Sequence, residues 1–389
     1  MNETTRQFIR EHLNDDVPTL ALKKAPVGTD LSLALRQIEA RQLLLKKAPE
    51  WSANDDLRFP ARLSIEQCSS EATAQYKAKL LNGKAFADLT GGLGIDTYYL
   101  SRGFEKSDYV ECQPELCKMA RHNFQALEAR IKVWNETAED FLDHCGPYDC
   151  LYIDPARRDT HGRKTVAIGD CTPDVTQLQE QLLQTAPTVL VKLSPMLDIS
   201  QALATLHNVK EIHAVAVANE CKELVFRLER DFSGPTELYC ANLQTGQPLL
   251  HFTQEEEQNC ALQLANHPQR YLYEPNAALL KAGCFRLPAA WFGIRKLHKN
   301  SHLYTSETLV ADFPGRIFEV EGWAPYNKKL RQSLLPDLGK ANLAVRNFPL
   351  SVDELRKSLK MSDGGDTYLF ATTLHDGEKA LIRTKKAAL

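Results

Sequence analysis

Three carboxylates and one cluster of glycines stand where strand-like runs give way to turns. Residues 85–97 read Ala-Phe-Ala-Asp-Leu-Thr-Gly-Gly-Leu-Gly-Ile-Asp-Thr. A short apolar run reaches Asp88, breaks at Gly91, Gly92 and Gly94, and continues from Asp96 in a helix-compatible stretch. Such a strand–turn–helix lets a ligand come close to the backbone and leaves N–H groups free at the helix start. Glu111 ends a second run, Ser107-Asp108-Tyr109-Val110-Glu111, and Asp154 ends a fourth, before Pro155-Ala156-Arg157-Arg158. The set fits S-adenosylmethionine. Asp88 would meet the ammonium, directly or through water, and the turn at Thr90, Gly91, Gly92 and Gly94 would admit the amino-acid arm. Glu111, with Cys112 beside it, is spaced to take ribose hydroxyls. Thr137 and Ala138, past a third strand, are candidates for the adenine edge. Asp96, Thr97 and Asp154 complete the cofactor set. A nicotinamide site would want a third glycine where Thr97 stands.

Methyl transfer from a sulfonium is an in-line displacement, so a protein chiefly aligns the acceptor and strips water. Asp154 could accept a hydrogen bond or a proton from the acceptor. Pro155 would fix the turn, and Arg157 and Arg158, followed by Arg163 and Lys164, offer cations to phosphates. The alternative for Asp154 and Arg157 is a structural pair at a strand end.

The elements that must hold these residues alternate. Strands are predicted at 85–89, 107–111, 131–135, 149–154, 188–193, 210–218 and 222–229, and helices at 96–103, 114–128, 138–144, 173–186 and 198–207. That alternation implies a mostly parallel, Rossmann-like α/β sheet covered on both faces. The last two strands lack a helix between them and should pair as an antiparallel hairpin through Asn219-Glu220-Cys221. Residues 1–84 read as helical, with Leu31, Ala34, Leu35, Ile38 and Leu45 on one face. Ser70 is placed to cap a helix just before the first strand. After Phe232, Ser233-Gly234-Pro235 marks a boundary. The predicted division is therefore 1–84, 85–232, 233–330 and 331–389, the last two being small α+β modules.

Composition excludes little. The chain has 389 residues, 43% hydrophobic and 25% charged, with a net charge of -3. These values fit a multidomain globular protein and give no global sign of nucleic-acid binding. The expectation is a cytoplasmic protein with no membrane partner: no apolar run approaches a bilayer span and ten scattered cysteines form no C-x-x-C pair. No metal site is expected, His298 and His302 having no further ligands near them in sequence.

With these motifs the chain resembles bacterial class I S-adenosylmethionine-dependent methyltransferases that carry a THUMP-like C-terminal domain and are described as RNA methyltransferases. The resemblance covers most of the chain. It runs from Glu66-Gln67-Cys68-Ser69-Ser70-Glu71-Ala72-Thr73 through the stretches 88–97 and 154–158. It continues in Tyr273-Glu274-Pro275-Asn276-Ala277-Ala278, Arg346-Asn347-Phe348-Pro349-Leu350 and Asp363-Gly364-Gly365-Asp366. It implies a ferredoxin-like middle module and an RNA-linked activity. The D-P-A-R turn is similar to the D-P-P-R of RNA 5-methyluridine enzymes, but the stretch Val191-Lys192-Leu193-Ser194-Pro195 lacks their cysteine. A covalent mechanism is therefore not expected.

Between Asn276 and Ser306 lie Lys281, Arg286, Arg295, Lys296 and Lys299, with no acid and with Trp291, Phe292 and Tyr304 interleaved. Cations for phosphates beside rings for bases would suit RNA; Lys281, Arg286, Arg295 and Lys296 join Arg157 and Arg158 as candidate substrate contacts. The competing readings are a solvated face over core aromatics, a non-catalytic RNA-binding scaffold that keeps the fold, and a methyltransferase acting on a protein or small molecule.

Overall fold

The computed structural model describes residues 1–60, 62–157, 168–327, 334–336 and 338–388. They fall into two compact units, Met1–Ile212 with Glu223–Gly234, and His213–Lys222 with Pro235–Leu389.

The first unit is built on β1 (Ala85–Asp88), β2 (Lys106–Val110), β3 (Ile131–Trp134) and β4 (Cys150–Ile153). A two-residue antiparallel pair follows, β5 (Ala156–Arg157) with β6 (Cys171–Thr172). Then come β7 (Thr188–Leu193), β8 (Val209–Val217) and β9 (Glu220–Glu229), the hairpin end His213–Lys222 of the last two belonging to the second unit. The order runs β9-β7-β4-β1-β2-β3, parallel from β7 to β3 and antiparallel between β7 and β9. Every residue of β4 is buried, as a parallel strand covered on both faces requires. The crossover helices are Ile95–Ser101, Pro114–Ala126, Ala138–His144, Val175–Thr185 and Ile199–Thr205. The expected hairpin is there, but its turn is Ala218-Asn219, both at positive φ (48° and 67°), and Glu220 already belongs to β9. Two positive φ values in a two-residue loop match the twist of the flanking strands.

The N-terminal region is helical, with Leu31–Lys47 its longest helix. One expectation fails there. Leu45 is 58% exposed, and Leu44 points inward. The buried face runs through Ala34, Gln37, Ile38, Ala40, Arg41 and Leu44, so it includes a guanidinium. Arg41 donates to the carbonyls of Ser52 (2.7 Å), Asn54 (2.9 Å) and Leu57 (3.1 Å), with Phe59 under its plane. Trp51, Leu57, Phe59 and Ile65 share a core with Leu93, Ile95 and Tyr99, so these helices pack on the helix that follows the glycine turn.

The second unit contains β10 (Glu237–Leu243) and β11 (Leu250–Thr253), an antiparallel pair. Its main sheet is formed by β12 (Tyr271–Pro275), β13 (Arg295–Lys296), β14 (Tyr304–Ser306), β15 (Gly315–Pro325), β16 (Asn342–Arg346), β17 (Thr367–Thr373) and β18 (Lys379–Lys386). The order is β13-β14-β12-β15-β18-β17-β16, antiparallel except for β16 with β17. Asn276 caps the helix Ala277–Ala282, and Ser351 with Glu354 forms a capping box on Val352–Leu359. His298 and His302 lie in a turn between β13 and β14, not on a helix. Among the described residues no helix is long and apolar enough to cross a membrane.

Arg41 supplies a test of the N-terminal packing. Arg41→Ala strands several buried carbonyls and should cost about 2–4 kcal/mol in urea unfolding. Arg41→Lys should recover only part of this, because an ammonium cannot span the same carbonyls. Full recovery by lysine would refute the account.

Candidate active site

Parallel register brings the three sequence-predicted carboxylates to one edge. Asp88 pairs across β1 with Tyr109 of β2 and with Tyr152 of β4. Two residues further along each chain stand Thr90, Glu111 and Asp154. Hydrogen bonds tie these three segments together. The Asp154 N–H donates to Thr90 Oγ1 at 2.7 Å, the Gly92 N–H to Glu111 Oε2 at 3.0 Å, and the Gly91 N–H to the Val110 carbonyl at 2.9 Å. The turn is thus fixed to both neighbours of β1, at the carboxyl edge where an open α/β sheet reverses strand order and takes ligands.

The glycines serve different ends. A Cβ on Gly91 would lie 2.1 Å from the Tyr109 ring, and one on Gly94 would lie 2.9 Å from Phe124. Those two positions are closed by the protein's own aromatics. Gly92 has φ +54° with nothing nearer than 3.8 Å, so there the requirement is conformational and the space is open. Tyr109 also donates its hydroxyl to the Gly92 carbonyl at 2.6 Å.

Asp88 is fully buried and its carboxylate is engaged internally. It accepts from the Thr90 N–H (3.0 Å) and from Thr97 Oγ1 (2.6 Å), which pins the turn to the helix behind it. Burial pushes its carboxyl up to about 7 despite those two bonds. Both carboxylate oxygens therefore already carry a bond from the turn or the helix behind it, and the sequence reading of Asp88 as an ammonium partner, direct or through water, stays an expectation. Glu111 is 8% exposed; its second oxygen accepts from the Gln113 N–H at 2.9 Å. Cys112 beside it is exposed, and burial, then the Glu111 charge, keep its thiol above the ordinary value. Thr137 caps the helix Ala138–His144, and Ala138 is buried.

Asp154 is half-buried, and its Oδ2 holds the Lys192 ammonium at 2.5 Å. Its Oδ1 has no hydrogen-bond partner among the described residues. Pro155 is buried behind it and Arg157 lies in β5. Arg158, like Arg163 and Lys164, falls outside the described residues. Lys192 is one of several residues that sequence reasoning missed. Burial alone would depress its ammonium, but Asp154, Asp96 and Glu223 outweigh it and hold it above the ordinary lysine range. Behind it Lys77, with no exposure, sits 3.0 Å from Asp96 and 3.0 Å from Glu223, and donates to Ser69 Oγ at 2.9 Å. Asp96 also accepts from Ser69 (2.7 Å) and Tyr152 (2.8 Å). Burial would raise its carboxyl, but Lys77 and Lys192, with those hydroxyls, hold it below the ordinary value. One signal existed: Lys192 interrupts the otherwise apolar run Val189-Leu190-Val191-Lys192-Leu193.

The other candidates lie in the second unit. Arg286 and Arg295 are exposed, and Arg286 donates to the carbonyls of Gln258 and Cys260. Lys281 is half-buried. Lys296 is not a surface cation: it is 1% exposed, donates to the Lys299 carbonyl at 2.8 Å, and burial depresses its ammonium to about 8. Its expected phosphate contact is therefore corrected to an internal one, at the edge of the Phe285 and Tyr304 rings.

A crystal structure of a "putative methyltransferase" from Porphyromonas gingivalis W83 is 36% identical, covers 99% of this chain and 98% of its own, and superposes with a TM-score of 0.86. A family model described as a ferredoxin-like domain matches residues 271–314, and one described as THUMP domain-like matches 315–386. The chain belongs to this methyltransferase family. Its two C-terminal modules share one sheet here, since β12 of the first pairs with β15 of the second. Two further solved structures are similar over part of the chain. The tRNA (uracil-54, C5)-methyltransferase of Pyrococcus abyssi, in complex with S-adenosyl-L-homocysteine, is 19% identical over 45% of this chain and 40% of its own, with TM-score 0.31. A "putative RNA methyltransferase" from Pyrococcus horikoshii is 14% identical over 48% of this chain and 98% of its own, with TM-score 0.34. At those scores neither bears on this chain's chemistry. No curated protein matches it.

The family implies S-adenosylmethionine, and the donor set fits it. An open turn at Gly92, a carboxylate at the end of β2 and a second at the end of β4 all stand at one edge. Two outcomes test this arrangement. Gly91→Ala should destabilise the first unit by about 2–4 kcal/mol, because the Tyr109 ring must leave its place. Asp88 gives a pH signature. Its folded value, about 7, lies above the reference 3.8. Its contribution to stability is therefore full below the unfolded value and is lost as pH rises through the folded one. Asp88→Asn should gain on the wild type between about pH 4 and about pH 7, read as the difference in Tm; a difference that stays flat across that range would contradict it.

Proposed function

We propose that the protein is an S-adenosylmethionine-dependent methyltransferase that methylates RNA by direct in-line transfer, without a covalent cysteine intermediate. The observation that carries this reading is the glycine turn fastened to Glu111 on one side and Asp154 on the other. Glu111 would hold the ribose hydroxyls, with Cys112 beside it and Thr137 and Ala138 toward the adenine. Thr90, Gly91, Gly92 and Gly94 would receive the amino-acid arm, with Asp88, Asp96 and Thr97 bracing the turn from behind. When bound, the cofactor supplies an electrophilic methyl group on a sulfonium. Lys192 fixes one oxygen of Asp154, and the other remains to accept a hydrogen bond or proton from the acceptor. Pro155 holds that carboxylate against the strand end, and the turn's burial limits water.

The thiols near this edge favour direct transfer. Cys112 is held above its ordinary value, and burial pushes Cys68 up to about 11, so neither is an effective nucleophile near neutrality. RNA as the acceptor is supported by the THUMP-like module, which the family resemblance links to RNA, and by the exposed Arg286 and Arg295.

Titration calorimetry with S-adenosylhomocysteine should give a saturable signal, weakened roughly 10–100-fold in Glu111→Ala as a charged acceptor is lost. No heat in the wild type would sink the cofactor assignment. Tritiated methyl incorporation into RNA from a deletion strain should be abolished by Asp154→Ala, and mass spectrometry of the nucleosides would identify the base. Label appearing in protein or small molecules would move the substrate. Binding without any transfer would favour a scaffold.

A further inference from the structure

Within the second unit, three segments distant in sequence meet at one end of the seven-stranded sheet. They are the turn His298–Ser301, Asn347 at the end of β16, and the hairpin from Thr373 to Lys379. Ser301 Oγ donates to the Thr373 carbonyl at 2.7 Å, Thr373 Oγ1 donates to the Asn347 carbonyl, and the Lys379 ammonium reaches Thr373 Oγ1 at 2.7 Å. Ser301 and Thr373 are buried, so this seam is fixed in place. His298 Nδ1 accepts from the Asn300 N–H at 3.0 Å and lies 3.0 Å from the Asn347 amide. With Nδ1 acting as acceptor, the neutral ring carries its proton on Nε2, which has no partner among the described residues. Lys299 and Lys379 are both exposed, and neither is paired with a carboxylate among the described residues. Two exposed acids share the hairpin with Lys379, Asp376, which accepts from the Glu378 N–H, and Glu378 itself, while Glu274 is held by Arg316 and Arg346.

We infer that this seam is a phosphate-binding site through which the second unit holds the backbone of RNA, with Lys299, Lys379 and His298 Nε2–H as donors. The inference deepens the RNA reading above and rests on it. The frame holds the Lys379 ammonium and the His298 ring, and Lys299 beside that ring adds a second ammonium; such donors suit a phosphate, and nothing about them reads a base. The local field agrees. Burial, then the charges of Lys299, Lys379, Lys296 and His375, hold the His298 imidazole below its ordinary value. It also gives the Arg346-Asn347 motif a use: Arg346 grips Glu274 at 2.6 Å, and Asn347 orients the imidazole.

The test is binding of the full-length protein to unfractionated tRNA across a salt series. The double variant Lys299→Ala/Lys379→Ala should bind about tenfold more weakly and with a log–log salt slope shallower by about two. Lys24→Ala/Lys46→Ala, which removes two exposed lysines of the first unit, should leave both unchanged. Matching Tm values and unaltered affinity for S-adenosylhomocysteine would confirm that the variants are folded. A double variant with wild-type affinity and slope overturns the site while leaving the RNA reading intact. A wild type that binds no tRNA at low salt overturns both.

Discussion

A lysine with no access to solvent organises the first unit. Lys77 lies between Asp96 and Glu223, so one ammonium joins the helix before β1, the helix after the glycine turn and the start of β9. Removing a partner from such a buried set leaves a charge that nothing else can neutralise, typically about 3–5 kcal/mol. Tyr152 and Ser69 both donate to Asp96 Oδ2, Lys77 faces Oδ1, and Lys192 extends the same field to Asp154. The reactive edge is therefore the exposed end of an internal electrostatic frame. The Asp154 carboxylate is held by Lys192, which the charges of Asp96 and Glu223 keep protonated in turn.

The second unit repeats the device with opposite sign. Glu274 is buried, and its two oxygens hold Arg316 and Arg346 from neighbouring parts of the sheet. An acid from the ferredoxin-like segment thereby locks two arginines of the THUMP-like segment. Continuity of hydrogen bonding from β12 to β15 makes the two segments one folding body, although family models separate them.

Much of the framework was legible in the sequence. The helix Ala138–His144 and the strand Thr188–Leu193 fall where periodicity placed them, because apolar spacing and flanking turn residues agree locally. Gathering Asp88, Glu111 and Asp154 at one edge followed from parallel topology. What escaped was direction and burial. Asp88 is fully buried and bonded to Thr90 and Thr97, which its place at a strand end does not reveal; Lys296 read as a surface cation and is inside. Leu45 read as part of the buried face and is exposed, while Arg41, with carbonyls to satisfy it, is buried. The partners of Lys77 lie 19 and 146 residues away in sequence, and no local pattern encodes such pairings.

Gly91 and Tyr109 occupy one volume between them, the ring filling the space that a methyl group would claim. Neither residue can drift alone during divergence. A lineage that enlarges position 91 must first shrink position 109, and that step removes the hydroxyl holding the Gly92 carbonyl. The pair should therefore behave as an epistatic unit, changing together or not at all, and its covariation among distant relatives would mark which of them have abandoned this geometry.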